Sequence, residues 1–302
     1  ALAKASAKDR VVALISGGGS ALLPAPVEGV SLTDKAETSR LLLGAGLDIT
    51  QMNLVRQALS RLKGGGLLRA ASPAPVTAYI LSDVIGDDLR VIASGLTVAP
   101  VGSRAKARAL LQGRGLWPQL PASVQSALQR PEITDPLPAA HNHLIGSNRK
   151  SLEAVVAASA GTIVSDHLTG DVADAAKMIV AAAKAAGPGC LVFGGETTVT
   201  LRGTGLGGRN QELALRVAMD MPDLGRDWLF LSGGTDGRDG PTDAAGGVVD
   251  AGTLGRIRAA GGDPDALLAN NDSNRALALA GDLLITGATG TNVADVQILL
   301  LG

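Results

Sequence analysis

The sequence is poor in aromatic residues and in cysteine. Phe, Trp and Tyr together make up 2% of its 302 residues, too few for the stacked aromatic platforms that bind single-stranded nucleic acid. Its single cysteine, Cys190, cannot form an internal disulfide bond, which is usual in a reducing compartment. The 27 basic and 28 acidic residues leave a net charge of −1, without the positive excess of nucleic-acid-binding proteins. We therefore expect no nucleic-acid partner and a cytoplasmic location.

Long hydrophobic runs are also missing. The longest stretch without a charged residue spans 11–27, and its three glycines and two prolines interrupt it. It falls short of the roughly 20 apolar residues that a membrane-spanning helix needs, so we expect no membrane partner. Hydrophobic residues nevertheless make up 46% of the chain, enough for a buried core in one large domain or two ordinary ones.

What the chain has in excess is glycine, with 40 residues. Three apolar runs, 11–15, 191–193 and 228–231, each end in a glycine-rich segment. Continuous apolar runs are typical of strands buried on both faces of a parallel sheet, and glycines at their carboxyl ends let the backbone approach a ligand. With helices predicted between the strands, the pattern indicates an α/β fold of two domains. We place them at 1–148 and 149–302, and we expect 113–143, which holds five prolines, to be an irregular connection.

A predicted helix over 48–62 carries the first candidate site. Asn53, Arg56, Ser60 and Lys63 are spaced i, i+3, i+7 and i+10, which would put them on one stripe of that helix. The spacing alone favours a solvated helix face. The alternative is a cationic, hydrogen-bonding stripe that binds a carboxylate or a phosphate.

A glycine loop over 203–208 precedes a second predicted helix. Gly203, Gly205 and Gly208 satisfy the pattern G-x-G-x-x-G, although the preceding segment has the polar–apolar alternation of a hairpin strand rather than that of a dinucleotide-binding unit. Free amides and the helix dipole at such a position suit an anion. The loop therefore predicts an anion site beside Arg209.

A third segment, 232–246, holds Asp236, Asp239 and Asp243 after a predicted strand. These carboxylates are suited either to binding Mg²⁺ through water and orienting a hydroxyl, or to forming turns, in which Asp and Gly are common. No G-x-x-x-x-G-K-[ST] pattern occurs in the sequence, which excludes a P-loop kinase.

Taken together, these segments resemble the glycerate 2-kinase family, whose carboxyl-terminal half is the MOFRL domain. Some members carry the name hydroxypyruvate reductase. The matching runs span nearly the whole chain in order: 14–23, 53–66, 82–95, 193–213, 232–246 and 286–295. The resemblance implies a Rossmann-like parallel sheet in 1–148, a smaller α/β MOFRL domain in 149–302, and ATP- and Mg²⁺-dependent phosphorylation of D-glycerate at its 2-hydroxyl.

The resemblance makes Arg209 the expected catalytic arginine, and the chemistry of the other candidate residues suggests their roles. Arg209 would act on the transferring phosphoryl group, and Asp236 would orient the glycerate hydroxyl or bind Mg²⁺, with Asp243 as a second metal ligand. The residues expected to bind substrate or phosphate are Ser16, Gly17, Gly18, Gly19, Ser20, Asn53, Arg56, Lys63, Gly207 and Gly208. The partners would be glycerate and a nucleotide, with a homo-oligomer possible.

The chain begins at Ala1 without Met, and 1–10 has the pattern of the end of a helix. We therefore expect further residues upstream in the complete protein, among them the family's catalytic lysine and part of the first sheet. Two other functions stay open. One is an NAD(P)H-dependent hydroxypyruvate reductase, and the other is a non-catalytic ligand-binding protein that lacks the upstream segment.

Overall fold

The computed structural model describes residues 2–133 and 135–302; Ala1, with which the predicted first domain begins, lies outside them. The chain divides into two compact units, 1–145 and 146–302. The sequence places the boundary after residue 148. No helix in the described ranges is long and apolar enough to cross a membrane.

The first unit contains a three-stranded sheet in the order β1–β2–β3 and, among the described residues, six α-helices. The strands are β1 (Val11–Ile15), β2 (Val76–Leu81) and β3 (Ala140–Gly146), and β1 and β2 are parallel. The helices are α1 (Gly19–Leu22), α2 (Leu32–Gly44), α3 (Ile49–Ala58), α4 (Gly66–Ala71), α5 (Arg104–Gly113) and α6 (Ala122–Gln129). The expectation of an irregular connection over 113–143 was wrong in part, because α6 and most of β3 lie there.

Two further expectations for this unit need correction. Residues 2–10, the described part of the predicted helix end, hold only one short helical turn, Leu2–Lys4. Strand β1 is not buried on both faces, because Val12 and Leu14 are 61% and 81% exposed. Alternate residues of a strand face opposite sides of a sheet, and among the described residues one side of β1 is left uncovered.

Helix α3 begins as predicted but ends earlier. The carboxylate of Asp48 accepts a hydrogen bond from the amide of Gln51, which caps the first turn. The last helical residue is Ala58, four residues before the predicted end at Leu62, and Ser60 forms an isolated bridge with Pro26. Ser60 and Lys63 therefore do not continue the helical stripe of Asn53 and Arg56, and the predicted single-helix geometry was wrong.

The second unit contains a six-stranded sheet with helices packed against it. Its strands are β4 (Thr162–Asp171), β5 (Gly189–Thr198), β6 (Trp228–Gly234), β7 (Gly246–Asp250), β8 (Leu283–Leu284) and β9 (Asp295–Leu301), in the order β4–β5–β9–β6–β7–β8. Its helices are α7 (Asn148–Ser159), α8 (Val172–Ala185), α9 (Arg209–Asp220), α10 (Thr253–Ala259), α11 (Pro264–Ala269) and α12 (Ser273–Ala280).

The α/β fold class is confirmed, but the prediction that the apolar runs of β5 and β6 form a parallel sheet was wrong for β6. Strand β6 is antiparallel to both of its neighbours, β7 and β9. The carboxyl-terminal strand β9 lies between β5 and β6. An apolar run indicates that both faces of a strand are buried. Helices can cover both faces of a parallel or an antiparallel sheet, so the run does not predict the direction of the neighbouring strands.

Helix α9 is the buried helix of this unit, and it fixes the position of Arg209, its first residue. Eight of its twelve residues are buried, and it packs against β6 and β7. The core there includes Phe193, Leu213, Phe230, Val249 and Leu299. Burial on this scale holds the amino end of α9 rigidly against the ends of β6 and β9.

Candidate active site

In the first unit, the Ser16–Ser20 loop leaves the carboxyl end of β1 and turns into α1. The amides of Gly19 and Ser20 donate to the carbonyl oxygens of Ser16 and Gly17, so the turn itself occupies them. Within the described ranges, the amides of Gly17 and Gly18 have no protein acceptor. The predicted anion cradle is thus reduced at this loop to two free amides.

Asp83 lies directly against this loop, just beyond the end of the neighbouring strand β2. A Cβ at Gly17 would be only 1.6 Å from Oδ2 of Asp83, which explains why glycine stands there. Burial raises the pKa of Asp83, since its charge is partly removed from water. The loop therefore has a carboxylate beside it as well as amides.

A chain of buried polar side chains connects the loop to α3. The hydroxyls of Ser20 and Ser94 are 2.6 Å apart, and Ser94 donates to Oδ1 of Asn53 at 2.9 Å. The ammonium of Lys63 donates to the carbonyl oxygen of Ser20 at 2.8 Å. Asn53 and Lys63 are 1% and 3% exposed. The solvated-face interpretation was therefore wrong for both, and the structure brings three predicted residues together through Ser94.

Three cations line one pocket of this unit: Lys35, Arg56 and Lys63. Burial, followed by the charge of Arg56, lowers the pKa of Lys35 to about 8. Burial, followed by the charges of Lys35 and Arg56, lowers the pKa of Lys63 to about 8. Like charges and desolvation both disfavour the protonated forms. Such a cluster is suited to an anion, which would relieve the repulsion.

In the second unit, Arg209 is held by a buried carboxylate. Its Nε donates to Oδ2 of Asp295 at 2.6 Å and its Nη2 donates to Oδ1 at 2.9 Å. Oε1 of Glu196 is 3.4 Å from Nη2. Burial lowers the pKa of Arg209, but the hydrogen bonds and charge of Asp295 outweigh it and hold that pKa above its usual value. The guanidinium is permanently charged, and two of its five N–H groups are committed to Asp295.

The amino end of α9 differs from the predicted open anion site. Asp239, which is 2% exposed, accepts hydrogen bonds from the amides of Asn210 and Gln211 at 3.1 and 2.8 Å. Its carboxylate thus occupies the place where an external anion would meet the first turn of the helix. In the part of the chain that is described, the amides of Gly207 and Gly208 still have no protein acceptor. Those two remain available beside Arg209.

Asp236 lies beside the Arg209–Asp295 pair, and Asp243 does not share its environment. A Cβ at Gly234 would be 3.2 Å from Oδ1 of Asp236 and 3.6 Å from Oδ1 of Asp295, so both carboxylates flank this bare backbone. Asp236 also accepts a hydrogen bond from the backbone amide of Arg238. This contact is expected if the aspartate forms a turn. Asp243 is exposed. The described residues include no cluster of three or more acidic, His or Cys side chains placed to bind a metal ion.

Sequence reasoning missed several residues of these two clusters. In the first unit they are Lys35, Asp83 and Ser94, and in the second Asp295 and Glu196. All except Lys35 lie in or at the edge of the runs that carried the family resemblance, which is the signal that could have found them. Lys35 had no such signal, because it is a single lysine in the first turn of α2, outside those runs.

Comparisons with known proteins agree with the resemblance. A family model described as a domain of unknown function, DUF4147, matches residues 1–129, and the MOFRL family model matches 189–295. A glycerate kinase of Macaca fascicularis is 41% identical, with 98% of this chain and 90% of that protein covered. A D-glycerate 2-kinase of Thermotoga maritima is also 41% identical, over 97% of this chain and 72% of that protein.

The solved structures point the same way. The crystal structure of a glycerate kinase from Thermotoga maritima matches with a TM-score of 0.92 and 39% identity, covering 100% of this chain and 75% of that one. A crystal structure of a protein from Pyrococcus horikoshii matches with a TM-score of 0.83 and 40% identity, covering 99% of this chain and 73% of that one. The chain therefore belongs to the glycerate 2-kinase family with a MOFRL domain.

Proposed function

We propose that this protein is a glycerate 2-kinase, which transfers a phosphoryl group from ATP to the 2-hydroxyl of D-glycerate. The observation that carries the proposal is the identity of about 40% to proteins named glycerate kinase over nearly the whole chain. The two polar clusters suit the activity, because phosphoryl transfer depends on positioning its groups and neutralising their charge. The residues below supply both.

Arg209 acts on the transferring phosphoryl group. Asp295 fixes its guanidinium by two hydrogen bonds, which leaves the N–H groups of Nη1 for an anion. The free amides of Gly207 and Gly208, directly before Arg209 in the chain, add uncharged donors at the same place. A rigidly held cation with adjacent amides stabilises charge without reorganising during the reaction.

Asp236 orients the glycerate hydroxyl or holds Mg²⁺. Its carboxylate lies next to the backbone of Gly234, close to Asp295, and Mg²⁺ is usually bound by one or two carboxylates together with substrate phosphates and water. Asp236 supplies one such carboxylate, whereas Asp243, the second ligand predicted from the sequence, is exposed, and no contact among the described residues supports that role. Bound Mg²⁺ would neutralise phosphate charge. The residues of the first unit, the Ser16–Ser20 loop with Asn53, Arg56 and Lys63, bind the carboxylate or phosphate of a substrate.

The reductase alternative has less support. The first amides of α9, where the pyrophosphate of a dinucleotide would bind, are already bonded to Asp239. The relatives reported above are named as kinases. We also infer a cytoplasmic location from the one cysteine, Cys190, which is buried and forms no disulfide bond.

A coupled ADP-release assay on the full-length protein with D-glycerate and MgATP tests the proposal, followed by phosphorus NMR of the product. We expect ADP release that depends on D-glycerate and yields 2-phosphoglycerate. Oxidation of NADH with hydroxypyruvate in the absence of ADP release would establish the reductase instead. ATP binding without turnover would favour the non-catalytic alternative.

A further inference from the structure

The pocket lined by Lys35, Arg56 and Lys63 has a charge that the proposed binding of a substrate carboxylate does not explain. Its volume is about 260 Å³, and its other lining residues are Ser20, Ala21, Pro24, Leu32, Ala36 and Ser39. None of these lining residues is acidic. Three cations thus face one small space without a counter-ion in its wall.

The two lysines are deeply buried, and each has spare hydrogen-bonding capacity. Lys35 and Lys63 are 8% and 3% exposed. Lys35 donates to the carbonyl oxygen of Pro24, and Lys63 donates to the carbonyl oxygen of Ser20 and, at 3.4 Å, to its hydroxyl. An ammonium has three N–H donors, so neither lysine is saturated by the protein. Among the described residues, the guanidinium of Arg56 has no hydrogen-bond or ion-pair partner.

Burying unpaired charge is costly, and proteins generally pair a buried charge with an opposite one. A cluster of three cations without a carboxylate is therefore unfavourable until an anion enters. The walls that are not cationic are short hydroxyl and aliphatic side chains, which leave the anion's oxygens to the three cations.

We propose that this pocket binds a phosphoryl group, and that Lys35 is one of its three cationic donors. A carboxylate carries one negative charge, whereas a phosphate monoester carries close to two near neutral pH, which balances the cluster better. The volume lies below the roughly 300 Å³ at which pockets for small-molecule ligands usually begin. A phosphoryl group fits, whereas an adenine nucleoside would have to remain outside.

The source of the phosphoryl group rests on the proposed function. It is either the terminal phosphate of the nucleotide or the phosphate of the phosphorylated acid, and the chemistry at the pocket is the same for both. Binding of free phosphate depends on neither source, so it can be tested without any turnover.

Titration calorimetry of the full-length protein with inorganic phosphate provides the test. We expect Lys35→Met to raise the Kd for phosphate by about 10-fold or more, because hydrogen bonds to charged groups contribute strongly. Lys35→Arg should restore most of the affinity, because it keeps the charge. The matched control is Lys106→Met on α5, which removes an exposed lysine outside the pocket and should leave the Kd unchanged.

Stability separates this role from a structural one. Lys35→Met removes a buried cation that is repelled by Arg56, so the melting temperature should stay level or rise while phosphate affinity falls. A fall in melting temperature with unchanged phosphate affinity would overturn the proposal, as would an absence of phosphate binding to the unsubstituted protein.

A second measurement needs no substitution. A lowered pKa makes a lysine a stronger nucleophile toward reductive methylation reagents that reach it. Phosphate should slow the modification of Lys35 and Lys63 relative to Lys106, as followed by peptide mass spectrometry. Equal protection of all three would contradict the proposal.

Displacement of phosphate by 2-phosphoglycerate or by a non-hydrolysable ATP analogue identifies the source of the phosphoryl group. Phosphate binding through Lys35 in a protein without kinase activity would retain this inference and reject the proposed function.

Discussion

Arg209 differs from the candidate cations of the first unit in having a fixed partner. Asp295 is fully buried, with 0% exposure, and its two oxygens match the planar fork of the guanidinium. Nearby, the side-chain amide nitrogen of Asn148 donates to the backbone carbonyl oxygens of Val293 and Asp295, which anchors the start of β9. The position of Arg209 is therefore set by a backbone segment that is itself held in place.

Substituting Arg209 by Lys tests whether this fork is catalytic. A lysine keeps the charge but cannot pair with Asp295 through two hydrogen bonds and present a second edge to a phosphoryl group. We expect kcat to fall by roughly 10²–10³ while the KM for glycerate changes little, as is usual when a stabiliser of transition-state charge is removed. Steady-state kinetics of the full-length protein measures both quantities, with Arg258→Lys, an exposed arginine of the same unit, as the control. Near-normal kcat with a lower melting temperature would assign Arg209 a structural role.

The Asp295→Asn substitution tests whether Asp295 positions Arg209. The substitution keeps the size of the side chain but removes the charge, so the guanidinium loses its fixed orientation. We expect kcat to fall while the KM changes little, together with a loss of about 1–3 kcal/mol in the free energy of unfolding, the cost of leaving a buried charged group poorly paired. Kinetics and denaturant titration measure the two effects. A loss of stability with unchanged kcat would show that Asp295 serves the fold alone.

At the scale of elements, the amino end of α9 shows why a helix terminus is not by itself an anion site. The predicted G-x-G-x-x-G loop and its helix are present, but the Asp239 carboxylate caps the first turn. The side-chain amide of Gln211 adds a further hydrogen bond to that carboxylate at 3.0 Å. A Cβ at Gly208 would be 2.4 Å from Oδ1 of Asp239, so glycine is needed for the loop to approach this close. The cap joins the loop of 207–208 to the turn after β6.

Removing this cap should destabilise the second unit. Asp239→Ala deletes the acceptor of the backbone and side-chain amides of both Asn210 and Gln211, all of them buried. Loss of a helix cap costs about 0.5–2 kcal/mol, and each buried donor left unpaired adds about 1–3 kcal/mol. We expect the free energy of unfolding to fall by about 2 kcal/mol or more. Denaturant titration measures this change, with Asp243→Ala as the control, because it removes an exposed carboxylate four residues further along the chain. Equal stability of the two variants would contradict the cap.

At the scale of the whole molecule, the two units can be followed separately. The sequence has two tryptophans, Trp117 in the first unit and Trp228 in the second. Trp228 lies in the core of its unit, and Trp117 packs beside the helical core of the first unit. A Trp228→Phe background therefore reports unfolding of the first unit by fluorescence, which matters because a chain of two units need not unfold in one step.

The lysine cluster predicts a pH dependence of stability in that background. The pKa of Lys35 and of Lys63 is about 8 in the folded state, below the value of about 10.4 of an unfolded chain. Between these values the unfolded state binds more protons, so the free energy of unfolding rises with pH from about 8 to 10. We expect this rise to be smaller in Lys35→Met, since one of the two lysines is missing.

Denaturant titrations at pH 7.5 and 9.5 measure the difference between the two proteins, in which groups common to both cancel. Saturating phosphate should reduce the rise, because a bound anion favours the protonated lysines. An equal pH dependence with and without Lys35 would show that this lysine titrates normally.

Local sequence patterns were enough to predict the α/β class, the strands at 11–15 and 228–231, the start of α3 at Asp48 and the family. These follow from local signals: apolar runs, capping side chains and turn glycines act over a few residues. The sequence also predicted Lys63, Arg56 and Arg209 as candidate site residues, because charged residues inside otherwise apolar or glycine-rich runs stand out in the sequence; their roles stay a prediction.

The hydrogen-bond and ion-pair partners of these residues depend on the tertiary structure and could not be predicted from local patterns. The pairing of Arg209 with Asp295 joins positions 86 residues apart, and the capping of α9 by Asp239 depends on where the turn after β6 lies. Strand β6 runs in the same direction as β5, but its neighbour on that side is antiparallel because β9 is inserted between the two, a contact between distant segments. Lys35 is a candidate phosphate-binding residue because it is buried beside Arg56 and Lys63 in the folded structure. Burial and charge pairing are properties of segments brought together in space, and a local pattern carries no record of them.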